Sequence, residues 1–168
     1  NFEIKGVERA IRSVACLPEQ IRSRTLVLVA GVDNPEPYGK LASKLNVAEN
    51  VCFLGARNDV PELMTASDLM LHPAMIENTG TVIVEAVVAG LPVLTTETCG
   101  YSFHVERSQG GIVVPEPFKQ RDLDENLLYM IRSDKKQQWR DNCSKYIAET
   151  DVFSSPQRVT DIIEKVAL

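Results

Sequence analysis

The sequence has no excess of positive charge: 18 Lys and Arg stand against 23 Asp and Glu, a formal net charge of −5. That balance argues against this stretch binding nucleic acid or an anionic membrane surface, both of which are held by clustered cations. No apolar run approaches the roughly 18 residues of a membrane-spanning helix, and no signal-peptide pattern opens the chain. The four cysteines, Cys16, Cys52, Cys99 and Cys143, are scattered, with no C-x-x-C pair and no metal-ligand spacing. They read as reduced structural thiols in the cytoplasm. His104 has no acidic or cysteine partners at metal spacing, and no metal site is expected. There are no internal repeats and no low-complexity segment, and the G-x-G-x-x-G dinucleotide fingerprint is lacking. The chain starts at Asn1 rather than Met and runs almost directly into a helix, so it is expected to be cut from something longer.

What remains is an ordinary globular composition, 44% hydrophobic and 24% charged over 168 residues, one domain's worth of chain. Val7, Ile11, Val14 and Ala15 recur at helical spacing from Lys5-Gly6 to about Leu17, and Pro18 closes that helix. Residues 25–30 form an unbroken aliphatic run ending at Gly31, which predicts a strand covered on both faces. Turn chemistry at Asp33-Asn34-Pro35 leads to a helix over 38–45, then a strand over 50–54 ending at Gly55. A short helix over 60–66 follows, with Asp59 as its expected N-cap and Pro61 in its first turn. Strands at 69–72, 92–95 and 112–114 alternate with helices at 81–89, 102–107, 122–131 and 135–149. A last helix is expected over 156–166 after Ser154-Ser155. Short apolar strands alternating with helices indicate a parallel α/β/α sandwich of Rossmann-like type.

The stretch from Asp68 to Glu97 carries the chemistry. It reads as a buried strand, a loop holding Glu77, Gly80 at a helix start, the helix itself, and a second buried strand. Unpaired N–H groups in the first turn, with the helix dipole, make a ready anion site. Glu77 precedes that site and Glu85 follows it, in an E-x7-E arrangement. Two carboxylates beside a phosphate-type site suit a ligand with both phosphates and hydroxyls, such as a sugar nucleotide. Open α/β sheets bind ligands at the carboxyl ends of their strands, where Glu77 falls. Glu85 stands on an otherwise apolar helix, so it is either exposed on a narrow polar edge or held near a ligand. Lys5 by itself is an ordinary helix-start charge, and His72 can be structural as readily as functional. Gly31 and Gly55 can simply end strands, yet both sit where a bulky side chain would fill the cleft. Trp139 and Phe153 read as core or domain-contact residues, and Tyr101 as a residue that could reach a sugar or acceptor.

Taken in order, Lys5-Gly6-Val7, the strand ending at Gly31, Val51-Cys-Phe-Leu-Gly55, Asp68-Leu-Met-Leu-His-Pro73 and Glu85-Ala-Val-Val-Ala-Gly-Leu-Pro-Val93 resemble a known pattern. It is the C-terminal, donor-binding half of a retaining GT-B glycosyltransferase of family 4, for which the E-x7-E pair is the signature. The resemblance covers nearly the whole chain. Arg57-Asn-Asp-Val60, Leu71-His-Pro-Ala74 and Leu91-Pro-Val-Leu-Thr-Thr96 with Cys99-Gly-Tyr101 are similar to one branch, which adds glucose to the inner-core heptose of lipopolysaccharide.

The resemblance implies roles. Glu77 would accept hydrogen bonds from donor-sugar hydroxyls, and Glu85 would hold the ribose hydroxyls. The backbone of Thr79, Gly80 and Thr81 would meet the diphosphate, and Lys5 would neutralise it as UDP leaves. Arg57, Asn58 and Val60 sit where the family binds the base. The chemistry would be metal-independent and need no cofactor beyond the UDP-sugar donor. The expected strand order is 3-2-1-4-5-6, with the first strand lacking from this chain, as are the N-terminal Rossmann-like domain and an arginine partner to Lys5. Residues 1–168 would then be a single nucleotide-sugar-binding domain, inactive alone, from an enzyme working on a lipid-linked saccharide acceptor at the inner face of the cytoplasmic membrane. Rival readings are another family 4 transferase with a different donor and acceptor, or a non-catalytic nucleotide-binding module.

Overall fold

A computed structural model describes residues 1–152. The helix expected over 156–166, its Ser154-Ser155 cap and Phe153 lie outside the described residues. Five strands, β1 (Val27–Ala30), β2 (Val51–Gly55), β3 (Met70–His72), β4 (Val93–Thr96) and β5 (Gly111–Val114), all pair in parallel. They form two sheets, β1–β2 and β3–β4–β5. Striking the first strand from a 3-2-1-4-5-6 order leaves these two groups with these neighbours. Residues 2–6 join the carboxyl ends of the two sheets. Phe2 N–H donates to Asp33 Oδ2 at 2.6 Å, its ring packs on Tyr38 and Phe53, and the Ile4 carbonyl accepts from Met75 N–H at 2.8 Å.

The helices are α1 (Val7–Ala15), α2 (Glu19–Arg22), α3 (Glu36–Lys44), α4 (Val60–Ala66), α5 (Thr81–Val88), α6 (Ser102–Ser108), α7 (Gln120–Arg132) and α8 (Lys136–Glu149). The apolar stripe of α1 buries Val7, Ala10, Ile11 and Val14. Each of its larger members contributes roughly 1.5–3 kcal/mol by leaving water. They share one core with Val27 and Val29 of β1, Leu71 of β3, Leu94 of β4 and Leu123, Leu127 and Trp139 of α7 and α8. A second core gathers Ile83, Ala86 and Val87 of α5 with Val93, Val105 and Cys143. Trp139 is therefore a core residue, and all four cysteines are free thiols.

Two expectations need correction and a third needs an addition. The strand at β1 is not covered on both faces. Val27 and Val29 turn into the core, but Leu26 and Leu28 are 59% and 42% exposed, because alternate side chains point to opposite faces and one face lacks a full cover. Asp59 occupies the N-cap position of α4 but makes no capping bond, its carboxylate being engaged by Arg57. Helix α1 ends before Pro18 as expected, but Pro18 also stands at the N-cap of α2, a short helix that apolar spacing does not predict; nor does it predict the 3-10 turn at Ala48–Asn50.

Candidate functional site

The site grows from the carboxyl end of β3. His72 is the last residue of that strand, and its backbone carbonyl accepts a 3.0 Å hydrogen bond from Thr95 Oγ1 on neighbouring β4. The loop that follows is tied from three sides. Thr96 and Thr98 hydroxyls donate to the Ala74 carbonyl at 2.7 and 3.0 Å, and Arg9 Nη1 donates to the Ala74 carbonyl at 3.0 Å. Arg9 is itself fixed by stacking on Phe118, with 3.6 Å from its guanidinium carbon to the ring centre. Further on, Glu77 bridges in parallel to Cys99, with Gly100 N–H donating to the Glu77 carbonyl at 3.0 Å and Tyr101 N–H to that of Thr79 at 2.7 Å. A loop this well bonded can aim a side chain.

The side chain it aims is Glu77, whose Oε2 forms an ion pair with Lys5 Nζ. Lys5 reaches it because Gly6, at φ +76°, turns the chain into α1 hard against Pro73. The same Oε2 lies 3.7 Å from Nε2 of His72, a ring that is only 8% exposed. That is too far for a hydrogen bond, and His72 Nε2 has no hydrogen-bond partner among the described residues. Burial, with the Lys5 charge added, pushes the imidazole down to about 4, so it is neutral at pH 7.

Gly80, at φ +79°, starts α5 in a left-handed turn and offers no capping side chain, so the first-turn amides of Thr81 and Val82 point outward uncapped. An ideal Cβ at position 80 would lie 3.2 Å from Glu77 Cγ, which places the helix start directly beside that carboxylate. Ile83, Val84, Ala86 and Val87 are buried, leaving Thr81, Glu85 and Val88 as the exposed stripe of α5 at i, i+4 and i+7. Glu85 thus stands on the polar edge, beyond the first turn from Gly80.

The structure brings Lys5, Glu77 and Gly80 together, with Thr79 and Thr81 flanking them. Arg57, Asn58 and Val60 stand apart at the end of β2, where Arg57 forms a two-pronged ion pair with Asp59. Gly31 serves packing, since a Cβ there would press on the Phe2 ring at 2.8 Å, whereas Gly55 faces open space. Tyr101 lies half-buried against Phe103 and His104, and His104 Nδ1 meets the Tyr146 hydroxyl at 2.7 Å, a structural setting for both. Sequence reasoning leaves His72 undecided and gives no role to Arg9, Thr95, Thr96, Thr98 or the close approach of Gly100. The placing of Arg9 one helical turn after Lys5 is the only one of these signals written in the sequence. A hollow of about 310 Å³ opens beside Gly6 and Met75, walled by Arg9, Tyr38 and Phe118. A larger one, about 470 Å³, runs along α4 and touches none of the expected site residues. Among the described residues no cluster of His, Cys, Asp and Glu could hold a metal ion, and no helix is long and apolar enough to cross a membrane.

Comparison with known proteins gives this geometry a context. The sequence profile described as glycosyl transferases group 1 matches residues 2–150. Lipopolysaccharide glucosyltransferase WaaG of Escherichia coli (strain K12) is 45% identical over 164 residues, covering 97% of this chain and 44% of WaaG. The crystal structure of WaaG, a glycosyltransferase involved in lipopolysaccharide biosynthesis, superposes with a TM-score of 0.93 over 97% of this chain and 44% of that one. Anabaena HepE, crystallised with UDP and glucose, superposes with a TM-score of 0.81 at 26% identity, covering 96% of this chain and 45% of HepE. The chain therefore spans less than half the length of these relatives.

Proposed function

The chain belongs to the glycosyl transferases of group 1, and we propose that it forms the donor-binding half of a retaining GT-B enzyme. That enzyme moves a hexose, here assigned as glucose, from a UDP-sugar to a hydroxyl on a heptose of the lipopolysaccharide inner core. The observation that carries this reading is the meeting of Lys5, Glu77 and the uncapped start of α5 at the carboxyl end of β3. The likeness to WaaG supports the reaction, and the HepE complex with UDP and glucose supports a nucleotide-sugar ligand on this fold.

Each group has work suited to its chemistry. The donor diphosphate meets the first-turn amides around Thr79, Gly80 and Thr81 and draws Lys5 from Glu77. Glu77 then accepts hydrogen bonds from the sugar hydroxyls. Glu85, on the exposed edge of α5, accepts from both ribose hydroxyls at once. Arg57, Asn58 and Val60 border the base. As the bond to the sugar breaks, negative charge grows on the departing UDP, and Lys5 with the helix-start amides stabilises it without a metal ion. A second Rossmann-like domain of the same protein supplies acceptor binding, and the lipid-linked acceptor puts the reaction at the inner membrane face.

Calorimetry on the complete protein tests this against UDP, UDP-glucose, UDP-galactose, UDP-GlcNAc and GDP-mannose. UDP-glucose is expected to bind best. Glu85→Ala should weaken UDP itself, whereas Glu77→Ala should spare UDP and weaken only the sugar nucleotide. Equal losses of UDP affinity in both variants would overturn the division of roles, and preference for another donor would move the enzyme to a different branch of the family.

A further inference from the structure

We propose that His72 is a positioning residue for Glu77: its ring N–H takes over the Glu77 carboxylate when the donor diphosphate draws Lys5 away. The inference rests on the donor reading above and adds a residue to it.

The geometry leaves His72 little else to do. Its backbone is fixed by the parallel register with Thr95, by the Thr95 hydroxyl on its carbonyl and by Pro73 after it. Its ring is more than nine-tenths buried, and Nε2 is aimed at Glu77 Oε2 across 3.7 Å, with no hydrogen-bond partner among the described residues. A buried polar nitrogen left unpaired costs on the order of 1–3 kcal/mol, so such an atom is rarely retained without a use. Glu77 Oε2 is meanwhile occupied by Lys5. One carboxylate oxygen thus stands between a partly exposed lysine and a buried imidazole.

When Lys5 turns to the diphosphate, the carboxylate loses its partner in a site where only 12% of its side chain is exposed. The backbone around it is held by Gly100 and the Ala74 ties, so the carboxylate itself must close the gap, by rotation of the Glu77 side chain. Neutral imidazole carries one N–H, and with the proton on Nε2 it donates to Oε2. Because the donor is uncharged, Glu77 keeps its full negative charge, and Oε1 stays free to accept from a sugar hydroxyl. A second cation there would compete with the sugar for that charge.

The test uses the complete protein with His72→Gln and His72→Met, side chains of equal length that differ in whether they carry an N–H donor near the ε position. Affinities for UDP and UDP-glucose are measured by calorimetry. Met is expected to weaken UDP slightly, since either diphosphate draws Lys5 from Glu77. It should weaken UDP-glucose more, about tenfold, since the sugar also loses an aligned acceptor, while Gln holds both within about threefold of the parent. Equal loss of both ligands in Met, no loss in Met, or the same loss in Gln as in Met overturns the proposal. Nitrogen NMR of the unmodified His72 ring needs no substitution. Its Nε2–H signal is expected to shift on adding either UDP or UDP-glucose, since both carry the diphosphate that draws Lys5 away. A signal unmoved by both overturns the idea even if Met fails to fold. Glu77→Gln separates the two levels of inference. If it leaves the gap between UDP and UDP-glucose intact, the donor reading itself fails. If it abolishes that gap while His72→Met does not, only the role of His72 falls.

Discussion

An ideal Cβ on Gly100 would lie 1.9 Å from the carbonyl oxygen of Asn78. No side chain fits there, because the Gly100 N–H and the Tyr101 N–H clasp the Glu77–Thr79 backbone from the same side. The backbone of Glu77 is therefore held by a glycine more than twenty residues away.

Gly100→Ala should force this clasp open and cost about 2–4 kcal/mol. Gly39, inside α3, has open space within 4 Å of the position its Cβ would take, so Gly39→Ala should instead stabilise by about 0.5–1 kcal/mol. Urea unfolding of both variants checks the pair. The same sign of change in both would show that the close approach is not what decides.

Lys5→Ala in the complete enzyme should lower kcat by about a hundredfold, as expected for a group that meets charge formed in the transition state. It should also weaken UDP and flatten the salt dependence of UDP binding. Steady-state rates and titrations at two salt concentrations test this, and unchanged UDP binding would place the lysine elsewhere.

His72 should make stability fall in mild acid. Its pKa in the folded protein, about 4, lies below the ordinary 6.5, so between those values the unfolded chain binds the extra proton. The stability from the neutral buried ring is full at pH 7 and is lost as pH drops from 6.5 through 4, up to about 3 kcal/mol. Unfolding midpoints at pH 7.5 and 4.5 should differ less in His72→Gln than in the parent. Equal pH slopes would argue against a neutral buried ring.

The four thiols should react in order of exposure and acidity. Cys52 is exposed and should label first. Cys16 is exposed too, but burial of its sulfur and the nearby Asp124 carboxylate raise its pKa and slow it. Cys99 and Cys143 are buried, and burial pushes the Cys143 thiol up to about 11. Mass spectrometry of peptides after timed alkylation reads the order, and early labelling of Cys143 would contradict the packing of α8.

Much of this is legible along the chain. Short unbroken apolar runs mark each strand from β1 to β5, and Gly80 with Gly90 marks the two ends of α5, since both hold the left-handed turns that only glycine adopts cheaply. The burial of β1 is not legible, because a run of aliphatic residues looks the same whether one face or two are covered. The short helix α2 escapes notice because four residues are too few to show a helical period.

The sequence by itself determined the alternating α/β order, the parallel sheets and the E-x7-E segment at the carboxyl end of β3, because these depend on local spacing and turn chemistry. Only the tertiary structure decided that Lys5 pairs with Glu77, that His72 waits unpaired behind the same oxygen, and that Arg57 is already engaged by Asp59. The first joins the turn before α1 to the loop after β3, more than seventy positions apart, while the second depends on how that loop folds back beside the end of its own strand. Which of them meet depends on sheet order, on the close fit of Gly6 and Gly100 against neighbouring backbone, and on burial, and none of these is set by neighbours in sequence.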